Sequence, residues 1–180
     1  YERINKAIKD YYTETKLELS DKERVSVIKL YNDVLAPKFK MDLEKKNMLD
    51  GASFFKSNKN KPGVIEHKSG IQYKIIKNST GTKPKSTDMV NVHYVGRLID
   101  GTKFDSSYDR GTPSSFPLNR VIPGWSQGIQ LMSVGSIFEI YIPGILAYAQ
   151  GEGPGGPAAT LIFEVELLGI ARTNDEKAAN

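Results

Sequence analysis

The chain has 180 residues, with 25 Lys and Arg against 21 Asp and Glu, a formal charge of +4 and no cysteine. The missing cysteine excludes disulfides, thiolate metal sites and a Cys nucleophile. Neither part is basic enough to argue for nucleic acid, since residues 1–60 hold 13 basic and 10 acidic side chains and residues 61–180 hold 12 and 11. No apolar run approaches the length of a membrane span.

Residues 1–60 read as helical. Ile4, Ala7, Ile8, Tyr11 and Tyr12 recur at the spacing of one helix face. Ser20-Asp21-Lys22-Glu23 is a capping-box signature, with Ser20 as N-cap and Glu23 three residues on. The helix it starts is expected to bury Val25, Ile28, Leu30 and either Tyr31 or Leu35. Pro37 ends that pattern and suits the first turn of a following helix. That second helix runs from Lys38 to about Lys59, with Phe39, Leu43, Lys46, Leu49 and Phe54 as partial stripes and a polar remainder. A long, sparsely apolar helix is a solvated connector or one side of a helix pair. Such helices bury little by themselves, and one outcome is that they pack back onto the downstream domain. Asn58-Lys59-Asn60-Lys61-Pro62-Gly63 is a breaker cluster and marks the expected domain boundary, giving a helical region 1–60, a domain 61–172 and a flexible tail 173–180.

In the second region Ile71, Tyr73 and Ile75 alternate with Gln72, Lys74 and Ile76, a first strand. Asn78-Ser79-Thr80-Gly81 turns the chain. Val92, Tyr94, Gly96 and Leu98 then share one strand face, with His93, Val95 and Arg97 on the other. Asp100-Gly101 supplies a tight hairpin, and the return strand carries Thr102, Phe104 and Asp105. A Gly/Pro/Ser-rich excursion leads to Val121-Ile122-Pro123-Gly124-Trp125, and Trp125, Ile129 and Met132 have the one-sided spacing of a short helix. Phe138, Ile140 and Ile142 form one face of a strand, Gly144–Pro157 is a loop, and Leu161, Phe163, Val165 and Leu167 alternate in the last strand. Strands with one short helix between them predict an α+β domain, an antiparallel sheet wrapped on that helix.

The usual catalytic groupings are missing. His67 and His93 are framed by no carboxylate or Ser motif, and His93, opposite Tyr94, is expected to be an outward surface residue. Gly151-Glu152-Gly153-Pro154-Gly155-Gly156 lacks the Lys-Ser/Thr and the helix that a phosphate-cradling loop requires. What the chain does concentrate between residues 92 and 125 is large apolar side chains, Tyr94, Phe104, Phe116, Val121, Ile122 and Trp125, with one acid, Asp105, five residues before one base, Arg110.

VHYVGRLIDGTKFDSS, FPLNRVIPGW, GIQLMSVG and ATLIFEVELLGI, in this order and spacing, resemble the FKBP-type peptidyl-prolyl cis/trans isomerases over roughly Ser69 to Ile170. With the helical region before them, the whole chain is similar to the Mip-like (macrophage infectivity potentiator-like) bacterial branch. The resemblance implies an FKBP-like sheet domain preceded by helices that dimerise and a long stalk helix. It implies a prolyl isomerase needing neither cofactor nor metal, acting on proline-containing extended polypeptides and inhibited by the macrolides tacrolimus and rapamycin. Trp125 matches the family's pocket floor, and Tyr94, Phe104, Val121, Ile122 and Phe163 match its walls, with Phe116 retained beside them. The Ile122 N–H corresponds to the donor for a ligand carbonyl, Tyr148 to a rim tyrosine, Asp105 to the pocket carboxylate and Arg110 to its supporting arginine. For Asp105 and Arg110 a purely structural ion pair is the alternative.

The chain departs from the family at Ser114, where many members carry a pocket phenylalanine, and in the loop Gly144-Ile145-Leu146-Ala147-Tyr148-Ala149. A glycine is usual at the position of Ala149; if that position needs φ > 0, Ala149 is strained or the loop takes another path. Pro157-Ala158 also shortens the segment before Ala159. A second reading is therefore a dimeric holdase-type chaperone with a weak or vestigial isomerase site, and a third is a surface adhesin. The family branch, the absent cysteine and a chain beginning at Tyr1, as a processed or trimmed product would, place the expectation in the periplasm or at the cell surface, outer-membrane associated, with the cytoplasm as the alternative.

Overall fold

A computed structural model of the chain describes residues 20–171. The helix face of Ile4, Ala7, Ile8, Tyr11 and Tyr12 and the tail 173–180 lie outside the described residues. Two compact units meet between Asp42 and Leu43.

In the first unit α1 (Asp21–Leu30) begins at the expected capping box. The N–H of Glu23 donates to Ser20 Oγ, and the N–H of Ser20 donates to the Glu23 carboxylate at 2.9 Å. A single π-helical turn, Tyr31–Leu35, joins α1 to α2 (Ala36–Asn58), so Pro37 lies in the first turn of α2. Proline lacks an N–H, and its ring would collide with the carbonyl four residues back. The wider turn, in which the N–H of Ala36 reaches Tyr31 O, carries the chain past it. Val25, Ile28 and Leu30 were expected to be buried, yet all are exposed in the single chain, Val25 at 66% and Ile28 at 59%; of the alternatives Tyr31 and Leu35, Tyr31 is exposed and Leu35 half-buried. Among the described residues no second layer of this unit covers α1, so an apolar spacing that marks a face cannot by itself say what meets it.

The second unit is a seven-stranded antiparallel sheet of β1 (Val64–Glu66), β2 (Gln72–Lys77), β3 (Met89–Leu98), β4 (Lys103–Ser106), β5 (Ser114–Pro117), β6 (Ile137–Ile142) and β7 (Leu161–Ala171). The spatial order is β1-β2-β6-β7-β3-β4. β5 shares β4's side of β3, pairing with Met89–Val92 while β4 pairs with Val95–Arg97. The alternation read from the sequence is the burial pattern found: Val92 and Tyr94 on β3, Phe138, Ile140 and Ile142 on β6, and Leu161, Phe163, Val165 and Leu167 on β7 all point into one core. Gly101, at φ +90°, turns the β3–β4 hairpin, where the Leu98 N–H reaches Thr102 O at 2.9 Å. α3 (Pro123–Ile129) starts on the proline and buries Trp125 and Ile129. Its Gly124 and Gly128 lie directly on Ile142 and Ile140, where a Cβ would collide. β1 and β5 were absent from the sequence reading, being short strands without a clear alternation.

The last turns of α2, from Leu43 on, belong to this second compact unit. Only part of the apolar stripe docks them: Phe54 and Leu43 reach the sheet domain, but Leu49 is exposed, as is Lys46. Polar and small residues complete the contact. Asn58 is fully buried and donates to Gln72 Oε1 at 3.0 Å, Gln72 Nε2 donates to Phe55 O at 3.0 Å, and Phe54 packs against Tyr141 with ring centroids 5.8 Å apart. Gln72, which alternates with Ile71 and Tyr73 along its strand, is thereby buried. Gly51 lies so close to the sheet that a Cβ would sit 2.6 Å from Thr160 Oγ1.

Helix propensity favours Ala over Gly by about 1 kcal/mol, but Gly51→Ala should lower the urea midpoint, because the methyl group meets a buried hydroxyl. In a Thr160→Ala background, where the remaining Cβ contact is an ordinary 3.9 Å, the same change should raise it. Equilibrium unfolding of the four proteins checks this reversal of sign.

Candidate active site

Strand alternation delivers Tyr94 from β3 and Phe163 from β7 to the inner face as near neighbours, since Tyr94 pairs with Val165 and Gly96 with Phe163. β4 contributes Phe104, β5 contributes Phe116 and α3 contributes Trp125. The five rings meet around the indole. Trp125 stands edge-on to Tyr94 at 5.1 Å, to Phe163 at 5.2 Å and to Phe116 at 5.4 Å, with interplanar angles of 89°, 78° and 87°. Phe104 meets Phe163 edge-on at 5.6 Å. Edge-to-face pairs contribute about 0.5–1.5 kcal/mol beyond their area burial. Gly96 makes room for them: a Cβ there would fall 2.6 Å from Phe104 Cζ and 3.0 Å from Phe163 Cε1. Sequence reading placed Gly96 on this face without giving it a role; a glycine amid large residues on one strand face was the available signal.

Val121 and Ile122 pack half-buried against this core. Ile122 is the N-cap of α3, so its carbonyl accepts from the N–H groups of Trp125 and Ser126 at 3.0 and 3.2 Å. Its own N–H has no acceptor among the described residues. Trp125 Nε1 is buried without a partner. A buried indole N–H with no acceptor is an unusual cost unless a ligand oxygen uses it.

At the edge of the cluster lies one polar network. The Tyr94 hydroxyl donates to Asp105 Oδ2, and Arg110 Nη1 pairs with Asp105 Oδ1. Arg110 Nη2 donates to the Tyr94 oxygen at 2.9 Å and to Ser114 Oγ at 3.1 Å, with the guanidinium 5.5 Å from the centre of the Tyr94 ring. Ser114, which departs from the family pattern, thus acts as an acceptor for the arginine. Burial raises the Asp105 carboxyl, but the hydrogen bonds from Tyr94 and Arg110 and the arginine's charge outweigh it and hold it below the ordinary carboxylate value. Burial, followed by the bond to Asp105, raises the Tyr94 phenol, while Arg110 opposes the rise.

The remaining expected site residue, Tyr148, is about half exposed, on the loop after a 3-10 turn at Gly144–Leu146. Its ring lies on Gly153, where a Cβ would collide. Ala149 does take a left-handed backbone, φ +49°, and so does Ala158, φ +55°. Each costs alanine about 1–2 kcal/mol relative to a right-handed conformation. His93 differs from its expectation. It is on the outer face but half-buried, stacked on Tyr108 at 4.4 Å and hydrogen-bonded to Ser107 at 2.9 Å, because the turn after β4 folds over it. Among the described residues no cluster of His, Cys, Asp or Glu could hold a metal ion.

Residues 80–168 match the family of FKBP-type peptidyl-prolyl cis-trans isomerases, and residues 1–75 match the domain amino terminal to such isomerases. An "Outer membrane protein MIP" of Legionella longbeachae is 40% identical over 174 residues, 94% of this chain and 75% of that protein. The chain belongs to the FKBP-type peptidyl-prolyl isomerase family. It is also similar to an isomerase FkpA of Aeromonas hydrophila, 46% identical over 86% of this chain and 59% of that protein, so the chain spans little more than half of that relative. Among solved structures, FkpA from Escherichia coli superposes with a TM-score of 0.76 and 33% identity, covering 95% of this chain and 82% of that one. An isomerase from Pseudomonas syringae gives 0.66 and 36%, covering 71% and 96%.

A carboxyl with a depressed folded value stabilises fully above the ordinary carboxylate range, and that contribution is lost as the pH falls through the folded value. The stability gap between wild type and Asp105→Asn should therefore be constant near neutrality and shrink from about pH 4 downward. Urea midpoints of both proteins across this range measure it.

Proposed function

We propose that the chain is a peptidyl-prolyl cis/trans isomerase whose site is the Trp125-centred aromatic cluster, and the observation that carries the reading is that cluster with the open Ile122 N–H beside it. The barrier to rotating a peptide bond is about 18–20 kcal/mol, because resonance makes the C–N bond partly double. For X-Pro the two planar states differ by about 0.5–1 kcal/mol, so catalysis requires only a lower barrier. At the top of the barrier the amide is twisted and less dipolar. Apolar side chains from Tyr94, Phe104, Val121, Ile122, Trp125 and Phe163 favour that form over the planar one. The Ile122 N–H holds a neighbouring substrate carbonyl and fixes its orientation. Asp105, locked by Tyr94 and Arg110, sets the polar side of the cluster, Phe116 supports the indole, and Tyr148 offers a hydroxyl at the rim.

The substrates in this reading are extended or unfolded proline-containing chains, and tacrolimus and rapamycin compete for the cluster. The exposed Val25, Ile28, Leu30 and Tyr31 support a homodimer formed through the N-terminal helices, which also lend chaperone assistance. Similarity to an outer membrane protein MIP of Legionella longbeachae supports a periplasmic or outer-membrane-associated location. No helix among the described residues is long and apolar enough to cross a membrane.

Proline-limited refolding of a model protein tests the activity. Wild type should accelerate it, rapamycin should abolish the acceleration, and Phe104→Ala or Asp105→Ala should lower kcat/KM by about tenfold or more, the equivalent of about 1.4 kcal/mol. Suppressed aggregation without acceleration would favour the holdase reading instead. Sedimentation equilibrium should find a dimer that Ile28→Glu converts to monomer.

A further inference from the structure

The loop from Gly144 to Thr160 is held from outside by three successive turns of α2. Leu43 lies on Gly156, where a Cβ would be 2.7 Å from Leu43 Cδ2, and Gly51 lies on Thr160. Between them Asn47 Nδ2 donates to Gly155 O at 2.9 Å and to Pro157 O at 2.8 Å. One amide group thus spends both its protons on two carbonyls of a single loop. These three residues are spaced by four, the row that one helix face presents.

Inside the loop the restraint passes on. Ala158, next to the tethered Pro157, donates its N–H to Ala149 O at 2.5 Å, and Ala149 donates to Gly144 O at 2.9 Å. Ala149 follows Tyr148 directly. Both alanines are left-handed, a conformation alanine keeps only where its surroundings impose it. The loop's own contacts join the two strained residues to each other; from outside, Leu98 of β3 packs on Gly155, and the hydrogen-bonded hold comes from α2.

We propose that Asn47 is a positioning residue of the isomerase site: its two hydrogen bonds keep Ala158 and Ala149 left-handed and thereby fix Tyr148 at the rim. The inference rests on the reading of Tyr148 as a rim residue of an active isomerase. A helix residue thus sets the shape of a substrate-facing loop more than 100 positions away in sequence. It also explains how the loop tolerates alanine where its backbone favours glycine.

The test uses the full chain as wild type, Asn47→Ala, Ala149→Gly/Ala158→Gly and the combination of all three. Amide hydrogen exchange at Ala149 and Ala158 and kcat and KM on a proline peptide are measured well below the unfolding temperature. Asn47→Ala should speed exchange at both amides and raise KM, each by about tenfold, the scale of one or two lost hydrogen bonds, with kcat little changed. The glycine pair should restore both, because glycine adopts φ > 0 without the strain that the tether must otherwise offset. Unchanged exchange in Asn47→Ala overturns the proposal, as does faster exchange with an unaltered KM or a failure of the glycines to rescue. A merely structural anchor would lower the unfolding temperature and leave KM alone. If wild type shows no isomerase activity, the functional reading falls on that result, while the exchange data still decide whether Asn47 holds the loop.

Discussion

The structure depends on one indole meeting three rings edge-on. Trp125 reaches Tyr94, Phe116 and Phe163 only because α3 lies flush on the sheet, and α3 lies flush because Gly124 and Gly128 put no side chain between its backbone and β6. The same economy recurs at Gly96, whose missing side chain leaves the space that Phe104 and Phe163 occupy. Absent methyl groups therefore shape the cluster as much as the aromatic ones do. A ring cluster fixed by its own packing is preorganised, so a ligand entering it need not order it first.

A carboxylate beside this apolar cluster poses an electrostatic difficulty that the polar network resolves. Burial alone pushes Asp105 toward its neutral form, and an unpaired charge there would be costly. The Tyr94 hydroxyl and the Arg110 fork together satisfy both carboxylate oxygens, and Ser114 takes a further arginine proton. Tyr94 belongs to both systems, its ring in the cluster and its hydroxyl on the acid. The ion pair thus bonds to Tyr94, whose ring stands in the cluster. Because the pair is partly exposed, screening limits its contribution to stability, and its effect is better sought in geometry.

The sheet, its register face and the short helix were legible because apolar alternation at periods of 2 and near 3.6 states which side of an element is buried. Tyr94, Phe104, Phe116, Val121, Ile122, Trp125 and Phe163 come together for that reason, and Asp105 and Arg110 follow because a five-residue turn returns the chain to the same edge. What was not legible has a common physical form. Gln72, Asn58, Asn47 and Gly51 are buried or half-buried because they meet backbone carbonyls, another amide and a close-lying strand. Such surfaces select donors and small residues, so their signature is a polar helix face, which sequence alone reads as solvated. His93 follows the same rule: an imidazole covered by Tyr108 and Ser107 looks in sequence like one left open.

The two kinds of packing also differ in what they transmit. An apolar core tolerates small rotations, because dispersion has no preferred direction and many contacts share each change. A hydrogen-bonded seam does not: one amide bound to two carbonyls fixes both their separation and the orientation of the peptide planes. α2 meets the 155–160 segment through such a seam, and the strained alanines lie immediately behind it. A helix docked by an apolar stripe would have stabilised the domain equally well without dictating the backbone of the loop. The polar face that made α2 look like a bare connector is therefore the feature that ties it to the backbone carbonyls of the loop.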